Sequence, residues 1–296
     1  MKIAIIGGGT IGLYTGWKLT KKGENVTIFE RQTHGKHICS GLVSKRIWDY
    51  IPKNKSLIEN EFDCINIHFP KKTIILDVEP DLIVVNRKKL NQYVKNLAKK
   101  AGVKFVKKEV KSIDKLKGFD FIVGAYGASS RFSIPETRLA IYIRKKGKKK
   151  SNQINIKPLK NGFAWEFPRA NEIEYGVIEE INTAKKYFDK VHKIQGKICA
   201  AKIPIGLYVS DKIALVGDAA GLCKVHSGGG LIWGLESANI LLRTYPDLKK
   251  YNKELRKFFE PKIFLSKMIM KIGMFMGYHL PFLVPKRIIF DNDWIF

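Results

Sequence analysis

Gly7-Gly8-Gly9-Thr10-Ile11-Gly12 constrains this chain more than any other feature. It follows the apolar run Lys2–Ile6, which suits a buried parallel strand. It precedes Thr10–Lys22, where Ile11, Leu13, Tyr14, Trp17 and Leu19 keep helical spacing until Gly23 stops them. Val26–Glu30 is a second strand. In such a strand–turn–helix–strand unit each glycine has a mechanical task. Gly7 permits the tight turn, Gly9 lets a pyrophosphate approach the backbone, and Gly12 lets the helix pack closely on the strand. Thr10 and Ile11 open the helix, whose free N–H groups and partial positive charge suit phosphates. Glu30, followed by Arg31, ends the second strand where a carboxylate can accept hydrogen bonds from ribose hydroxyls. A chance glycine-rich turn would lack the strand before it, the helix after it and the acid at that distance.

A second segment has the same logic. The apolar run Lys212–Val216 delivers Gly217-Asp218-Ala219-Ala220-Gly221 at a turn, and Gly228-Gly229-Gly230 opens a helix at Leu231 that runs to Arg243. Asp218 is placed to bind a polyol such as a ribityl chain, or to cap a helix. The helix N-terminus can stabilise negative charge on a reduced ring system. Arg87, opening a helix predicted over Arg87–Lys100, is a candidate for neutralising phosphates, or is simply exposed.

Between these segments the pattern changes. Cys64–Phe69 and Thr73–Val78 alternate around Pro70-Lys71-Lys72 and predict a hairpin. Ile83–Val85, Val103–Val110 and Phe119–Gly124 read as strands. Arg138–Arg144, Gln153–Lys157, Phe163–Phe167 and Ile173–Ile178 read as a run of antiparallel strands, followed by a helix over Thr183–Ile194. The expected class is α/β: a Rossmann-type domain with an inserted antiparallel β-sheet domain and a helical C-terminal tail. The expected division gives 1–60, 83–135 and 198–245 to the nucleotide domain, 61–82 and 136–197 to the inserted sheet, and 246–296 to the tail.

Composition adds a charge argument. With 54 Lys and Arg against 27 Asp and Glu, the formal net charge is +27. Such a surface is either a solvated compositional bias or an attractor of polyanions. No zinc finger, aromatic RNA-binding strand or helix-turn-helix pattern supports nucleic acid, which leaves phospholipid headgroups as the favoured polyanion. Cys39, Cys64, Cys199 and Cys223 are far apart, so neither structural zinc nor an iron–sulfur cluster is expected, and no metal. The first residues run straight into a strand, and an intracellular, reducing setting is expected. The tail Phe264–Phe290 is apolar, basic and holds Met268, Met270, Met274 and Met276. It reads as an adaptable greasy surface or as a core helix, and its uncharged run Ile272–Pro285 is too short to span a bilayer.

The two glycine-rich segments, with Asp120–Arg131 and its Gly127 between them, resemble the para-hydroxybenzoate-hydroxylase-like flavoproteins. Within that group the chain is most similar to the geranylgeranyl reductase family, over roughly residues 1–240. Gly35-Lys36-His37-Ile38-Cys39-Ser40-Gly41 resembles that family's G-K/R-x-x-C-x-G segment, Phe163–Pro168 its Y-x-W-x-F-P strand, and Gly217–Gly230 its GDAAG…GGG turn. The chain departs from the pattern at Phe163, where the family has Tyr. It departs also at Tyr126-Gly127, where Asp-Gly is usual, and at Val225-His226, where Pro-Leu is common.

The resemblance implies FAD as cofactor, held by Gly7, Gly9, Thr10, Ile11, Gly12, Glu30, Arg31, Cys39, Ser40, Gly41, Arg87, Gly127, Gly217, Asp218, Gly228, Gly229, Gly230 and Leu231. It also implies a substrate cavity at Phe163, Trp165, Phe167 and Pro168, and reduction of C=C bonds in isoprenoid chains of archaeal-type ether lipids. Such an alkene accepts hydride poorly unless a proton arrives first or together, so a positioned acid is needed. Cys39 and His226 are the candidates, with His37 behind them; each has an ordinary structural alternative. The expected partners are a prenylated phospholipid, an electron donor of unknown identity (NAD(P)H or ferredoxin-like) and the inner face of the cell membrane, met peripherally by a monomer. A flavin-dependent monooxygenase, and a basic membrane-surface protein with structural FAD, are the competing readings.

Overall fold

The computed structural model describes residues 1–31, 39–128, 136–147 and 153–293. The chain opens with β1 (Lys2–Ile6), α1 (Thr10–Lys21) and β2 (Asn25–Glu30), as the glycine pattern requires. A short strand β3 (Leu42–Ser44) and the turn of helix α2 (Ile47–Tyr50) lead into two long strands, β4 (Ile58–His68) and β5 (Thr73–Val85). Helix α3 (Arg87–Lys100) then returns the chain to β6 (Lys104–Lys107) and β7 (Phe121–Gly124). Four strands follow: β8 (Thr137–Lys146), β9 (Ile154–Pro158), β10 (Phe163–Pro168) and β11 (Glu172–Glu179). Helix α4 (Ala184–His192), β12 (Cys199–Pro204), β13 (Ala214–Leu215), α5 (Leu231–Thr244), α6 (Leu248–His279) and β14 (Arg287–Asp291) complete it.

Two sheets organise these elements. The first is a five-stranded parallel sheet in the order β13-β7-β1-β2-β6. Its central strand β1 is almost wholly buried, as expected for a strand covered on both faces. Helices α1, α3 and α5 pack together on it, and Thr10 Oγ1 donates to Asn91 Oδ1 at 3.2 Å to tie α1 to α3. The second is a nine-stranded sheet in the order β12-β8-β11-β10-β9-β4-β5-β14, with β3 also on β5. Its interior face carries a separate apolar core that includes Phe62, Leu82, Tyr142, Trp165 and Phe167.

The second sheet differs from expectation in ways that matter for the site. It is mixed, because β4 pairs with β9 and β5 with β14 in parallel. Ile83–Val85 is the end of β5, so it belongs to this sheet; so does β12. The tail is not purely helical: after α6 the chain comes back as β14 and adds an edge strand beside β5. Local pattern announces a strand but not its partner, since strand pairing joins residues that are remote in sequence.

Candidate active site

The turn between β1 and α1 has the geometry its glycines imply. Gly7 sits at φ +111°, and a Cβ there would lie 2.3 Å from the Ala125 carbonyl oxygen. A Cβ on Gly12 would lie 2.1 Å from the Gly7 carbonyl oxygen, so helix and strand are in backbone contact. Gly9 is different: a Cβ there would meet no protein atom within 4 Å, because it points into an open cleft. Glu30 closes the far side, its carboxylate accepting the Gly8 N–H at 2.6 Å. Arg31 is exposed beside it, and neither residue lines the cavity described next.

One cavity of about 970 Å³ runs from this cleft into the second sheet. At the cleft end it is lined by Gly9, Thr10, Ile11, Cys39, Ser40, Gly41, Arg87, Gly127 and Asp218. Gly228, Gly229, Gly230 and Leu231, at the start of α5, complete that end. Gly217 lies behind it at φ +62°, its N–H donating to Ser237 Oγ at 3.0 Å. The structure thus gathers the sequence-predicted cofactor residues around one cleft, with Gly7, Gly12, Glu30 and Gly217 as its frame.

The residues present fit FAD. Arg87 Nε and Nη1 are buried with no hydrogen-bond partner among the described residues, a state that a phosphate would relieve. The space over Gly9 and the N-terminus of the 14-residue helix α5 suit pyrophosphate and ring, and Asp218 stands between them. Burial pushes the Asp218 carboxyl up, opposed by the Cys223 thiol and the charge of Arg87. Cys223 donates to Asp218 Oδ1 at 3.5 Å, and burial together with that carboxylate raises its thiol well above the usual range. Cys223 is therefore a buried donor to Asp218.

At its other end the cavity is hydrocarbon. Phe163, Trp165 and Phe167 line it as expected, with Ile65, Leu76, Tyr142 and Ile156 from neighbouring strands. Pro168 does not line it; it ends β10, and its carbonyl accepts Asn60 Nδ2 at 3.0 Å. Gly176 opposite allows this arrangement, since a Cβ there would lie 2.1 Å from the Trp165 ring.

The remaining wall comes from the tail: Ile269, Met270, Ile272, Met274 and Met276 of α6, then Ile288 and Phe290 of β14. Tyr278 Oη donates to the Pro158 carbonyl at 3.1 Å, and the Lys72 ammonium donates to the Pro281 carbonyl at 3.0 Å, so the helix end is pinned to the sheet. The Met cluster thus faces both a cavity and, on the outer side of α6, open surface.

The two acid candidates part company here. Cys39 is exposed and lines the cavity at the cofactor end. His226 also lines the cavity, but its ring is packed edge-on against Phe290, with Nδ1 2.7 Å from Ser266 Oγ. Burial, then the charge of Lys224, pushes its pKa down to about 3 against opposition from Asn292 and Asp293. In these surroundings the neutral ring is favoured, which counts against His226 as the proton source and leaves Cys39 as the better-placed candidate. His37, and the Gly35–Ile38 part of its motif, lie outside the described residues.

Other residues at the site had no visible motif. Lys224 Nζ donates to Asp293 Oδ1 at 2.8 Å and to the Asn292 carbonyl at 2.9 Å. Asp293 also accepts from Ser44 Oγ and faces Arg46 Nε at 3.5 Å, while its backbone oxygen accepts Trp233 Nε1 at 2.8 Å. The C-terminal end is thereby fastened beside the Gly228–Gly230 turn.

Comparison with known proteins follows the same lines. Residues 5–38 match the family model described as NAD(P)-binding Rossmann-like domain. The chain is 20% identical to a geranylgeranyl diphosphate reductase of Synechocystis sp., over 87% of this chain and 81% of that protein. A crystal structure of a geranylgeranyl bacteriochlorophyll reductase-like protein from Thermoplasma acidophilum superposes with a TM-score of 0.76. It is 19% identical, covering 91% of this chain and 86% of that one. A flavin-dependent brominase superposes at 0.72 with 16% identity, covering 95% and 90%. The motif resemblance and these comparisons agree: the chain is similar to the geranylgeranyl reductases, on a fold shared with flavin-dependent halogenases.

Proposed function

We propose that this chain is an FAD-dependent oxidoreductase that saturates C=C bonds of isoprenoid chains, with geranylgeranyl chains of archaeal-type membrane ether lipids as the substrate class. The observation that carries the reading is the single cavity, phosphate-seeking at one end and walled by hydrocarbon at the other. Similarity to a geranylgeranyl diphosphate reductase supports a prenyl substrate. Bound and reduced, FAD supplies the hydride that an alkene carbon accepts, while the other carbon takes one proton.

The chain's own residues do the rest. Arg87, the α1 and α5 N-termini and Asp218 bind and orient the cofactor. Trp165, Phe167 and the α6 methionines align an extended hydrocarbon and keep water from the reacting carbons. Cys39, at the junction of cleft and apolar chamber, is the proton donor in this reading. The reducing equivalents would come from a separate donor, of the NAD(P)H or ferredoxin-like class.

The same reading puts the protein peripherally on an anionic membrane, and the surface of the tail supports this. From Pro261 to Phe290 the chain has no Asp or Glu, while Lys262, Lys267, Lys271, Lys286 and Arg287 stand among apolar residues. On this surface Phe264 is 70% and Phe282 75% exposed. No helix among the described residues is long and apolar enough to cross a membrane.

The test is anaerobic incubation of FAD-loaded protein with a reductant and lipids carrying geranylgeranyl chains, read by mass spectrometry. Stepwise gain of hydrogen pairs is expected. Product that forms only with O₂, or none from any prenyl lipid, overturns the reading; the first result points to a monooxygenase. Cys39→Ala should retain FAD yet lower saturation by ~10²-fold or more, the scale of removing a general acid.

A further inference from the structure

A fully buried carboxylate on the interior face of a sheet is costly unless it is paired and hydrogen-bonded. Glu174, on β11, is in that position with no exposed surface. It accepts Arg144 Nε at 2.9 Å, Arg169 Nη1 at 2.9 Å and Trp165 Nε1 at 3.2 Å. Arg144 lies directly across the β8–β11 ladder from it, so register alone holds the pair together.

What the two guanidinium groups do with their other donors gives the cluster its direction. Arg144 Nη2 donates to the Cys39 carbonyl at 3.2 Å, and Arg169 Nη1 to the Ser40 carbonyl. Arg169 also donates to Glu59, which accepts Asn86 Nδ2 at 2.8 Å; Asn86 in turn caps α3, next to Arg87. Two arginines and two glutamates therefore neutralise one another, and their surplus donors grip successive carbonyls of the Cys39–Gly41 segment. The third donor to Glu174 is the indole that lines the substrate chamber.

We propose that Glu174, acting through Arg144 and Arg169, is a positioning residue that fixes the Cys39 thiol relative to the chamber wall at Trp165. The inference rests on the proton-donor reading of Cys39. Its physical content is pre-organisation: a thiol on a connecting segment is held by charge-assisted hydrogen bonds to its own backbone, anchored in the rigid sheet. Glu174 touches neither cofactor cleft nor chamber itself.

The experiment uses Glu174→Gln, which keeps the shape and removes the charge, and Arg144→Ala, which releases the Cys39 carbonyl from the partly exposed side. Cys39 alkylation by iodoacetamide is followed by peptide mass spectrometry across pH, with Cys64 as the internal reference. Both variants should shift the Cys39 rate or its pH profile by roughly tenfold, the scale of one charge-assisted hydrogen bond. Cys64 alkylation and FAD absorbance should stay unchanged. In turnover, kcat should fall while KM for the lipid moves little. Unchanged Cys39 alkylation in a folded variant overturns the inference, and Arg144→Ala decides if Glu174→Gln fails to fold. Wild-type protein that saturates no alkene would instead overturn the functional reading, while the thiol readout still judges the clamp.

Discussion

Asp293→Ala should be among the most damaging single substitutions outside the apolar cores. The wild-type carboxylate is fully buried and holds the Lys224 ammonium, itself only 4% exposed, together with Ser44 and Arg46. Removing it leaves the Lys224 ammonium with the Asn292 carbonyl and an uncompensated charge in the interior. Breaking a buried pair in this way costs about 3–5 kcal/mol, and a loss of that size lowers Tm by roughly 6 °C or more. The double substitution Lys224→Met, Asp293→Leu should recover most of the loss, because two apolar groups replace two charges of similar reach.

The pH dependence follows from the carboxylate's shift. Burial raises its pKa, but Lys224, Ser44 and Arg46 outweigh burial and hold it below the ordinary value. A depressed carboxylate contributes fully above its unfolded pKa, about 4, and loses that contribution as pH falls through the folded value. The gap between wild type and variant should be flat from neutral pH to about 5 and close below about 4. Thermal melts of wild type, Lys224→Met, Asp293→Leu and the double variant form the cycle, with Asp293→Ala beside it. A cost for Asp293→Ala below about 1 kcal/mol, the range of surface pairs, would refute the reasoning.

Gly9→Val should leave the melting temperature of the cofactor-free protein nearly unchanged, since a Cβ there meets no protein atom within 4 Å, yet abolish FAD binding in absorbance titrations. Gly12→Val should instead damage the fold, its Cβ falling 2.1 Å from the Gly7 carbonyl oxygen. His226, held neutral down to about pH 3, is protonated in the unfolded chain below about 6.5, so the wild type should lose about 3 kcal/mol between pH 7 and 4 from this residue alone. Denaturant melts of His226→Phe should lack that acid-side decline; an unchanged slope would mean the ring charges freely. Sedimentation with anionic liposomes should weaken strongly as salt rises over 0.05–0.5 M, roughly the range in which the Debye length shrinks below the size of a lysine side chain's reach. Phe264→Asp with Phe282→Asp should remove the salt-insensitive remainder, and full binding by that variant would argue against the α6 surface.

The nucleotide-binding half was legible in the sequence because its signals are local. Gly7, Gly9 and Gly12 answer to backbone clearances within one turn, and Glu30 lies one βαβ unit away, so spacing alone carries the geometry. The helix over Arg87–Lys100 and the start of α5 after the Gly228–Gly230 run were legible for the same reason, while the Asn86 side chain that caps α3 was seen only in the structure. The Trp165 strand could be found by motif, but its neighbours could not. Two-residue periodicity assigns faces, not partners, and β5 takes β14 from more than 200 residues further along the chain. Separation along the chain likewise hid Asp293 from Ser44, 249 residues away, and from Lys224, 69 away, and left β14 unannounced in a tail expected to be mostly helical. Tertiary packing alone decided that Glu174 would be buried under two guanidinium groups and that burial would push the His226 pKa down. Charge and burial are properties of the assembled surroundings, and a residue's type sets only what those surroundings have to act upon.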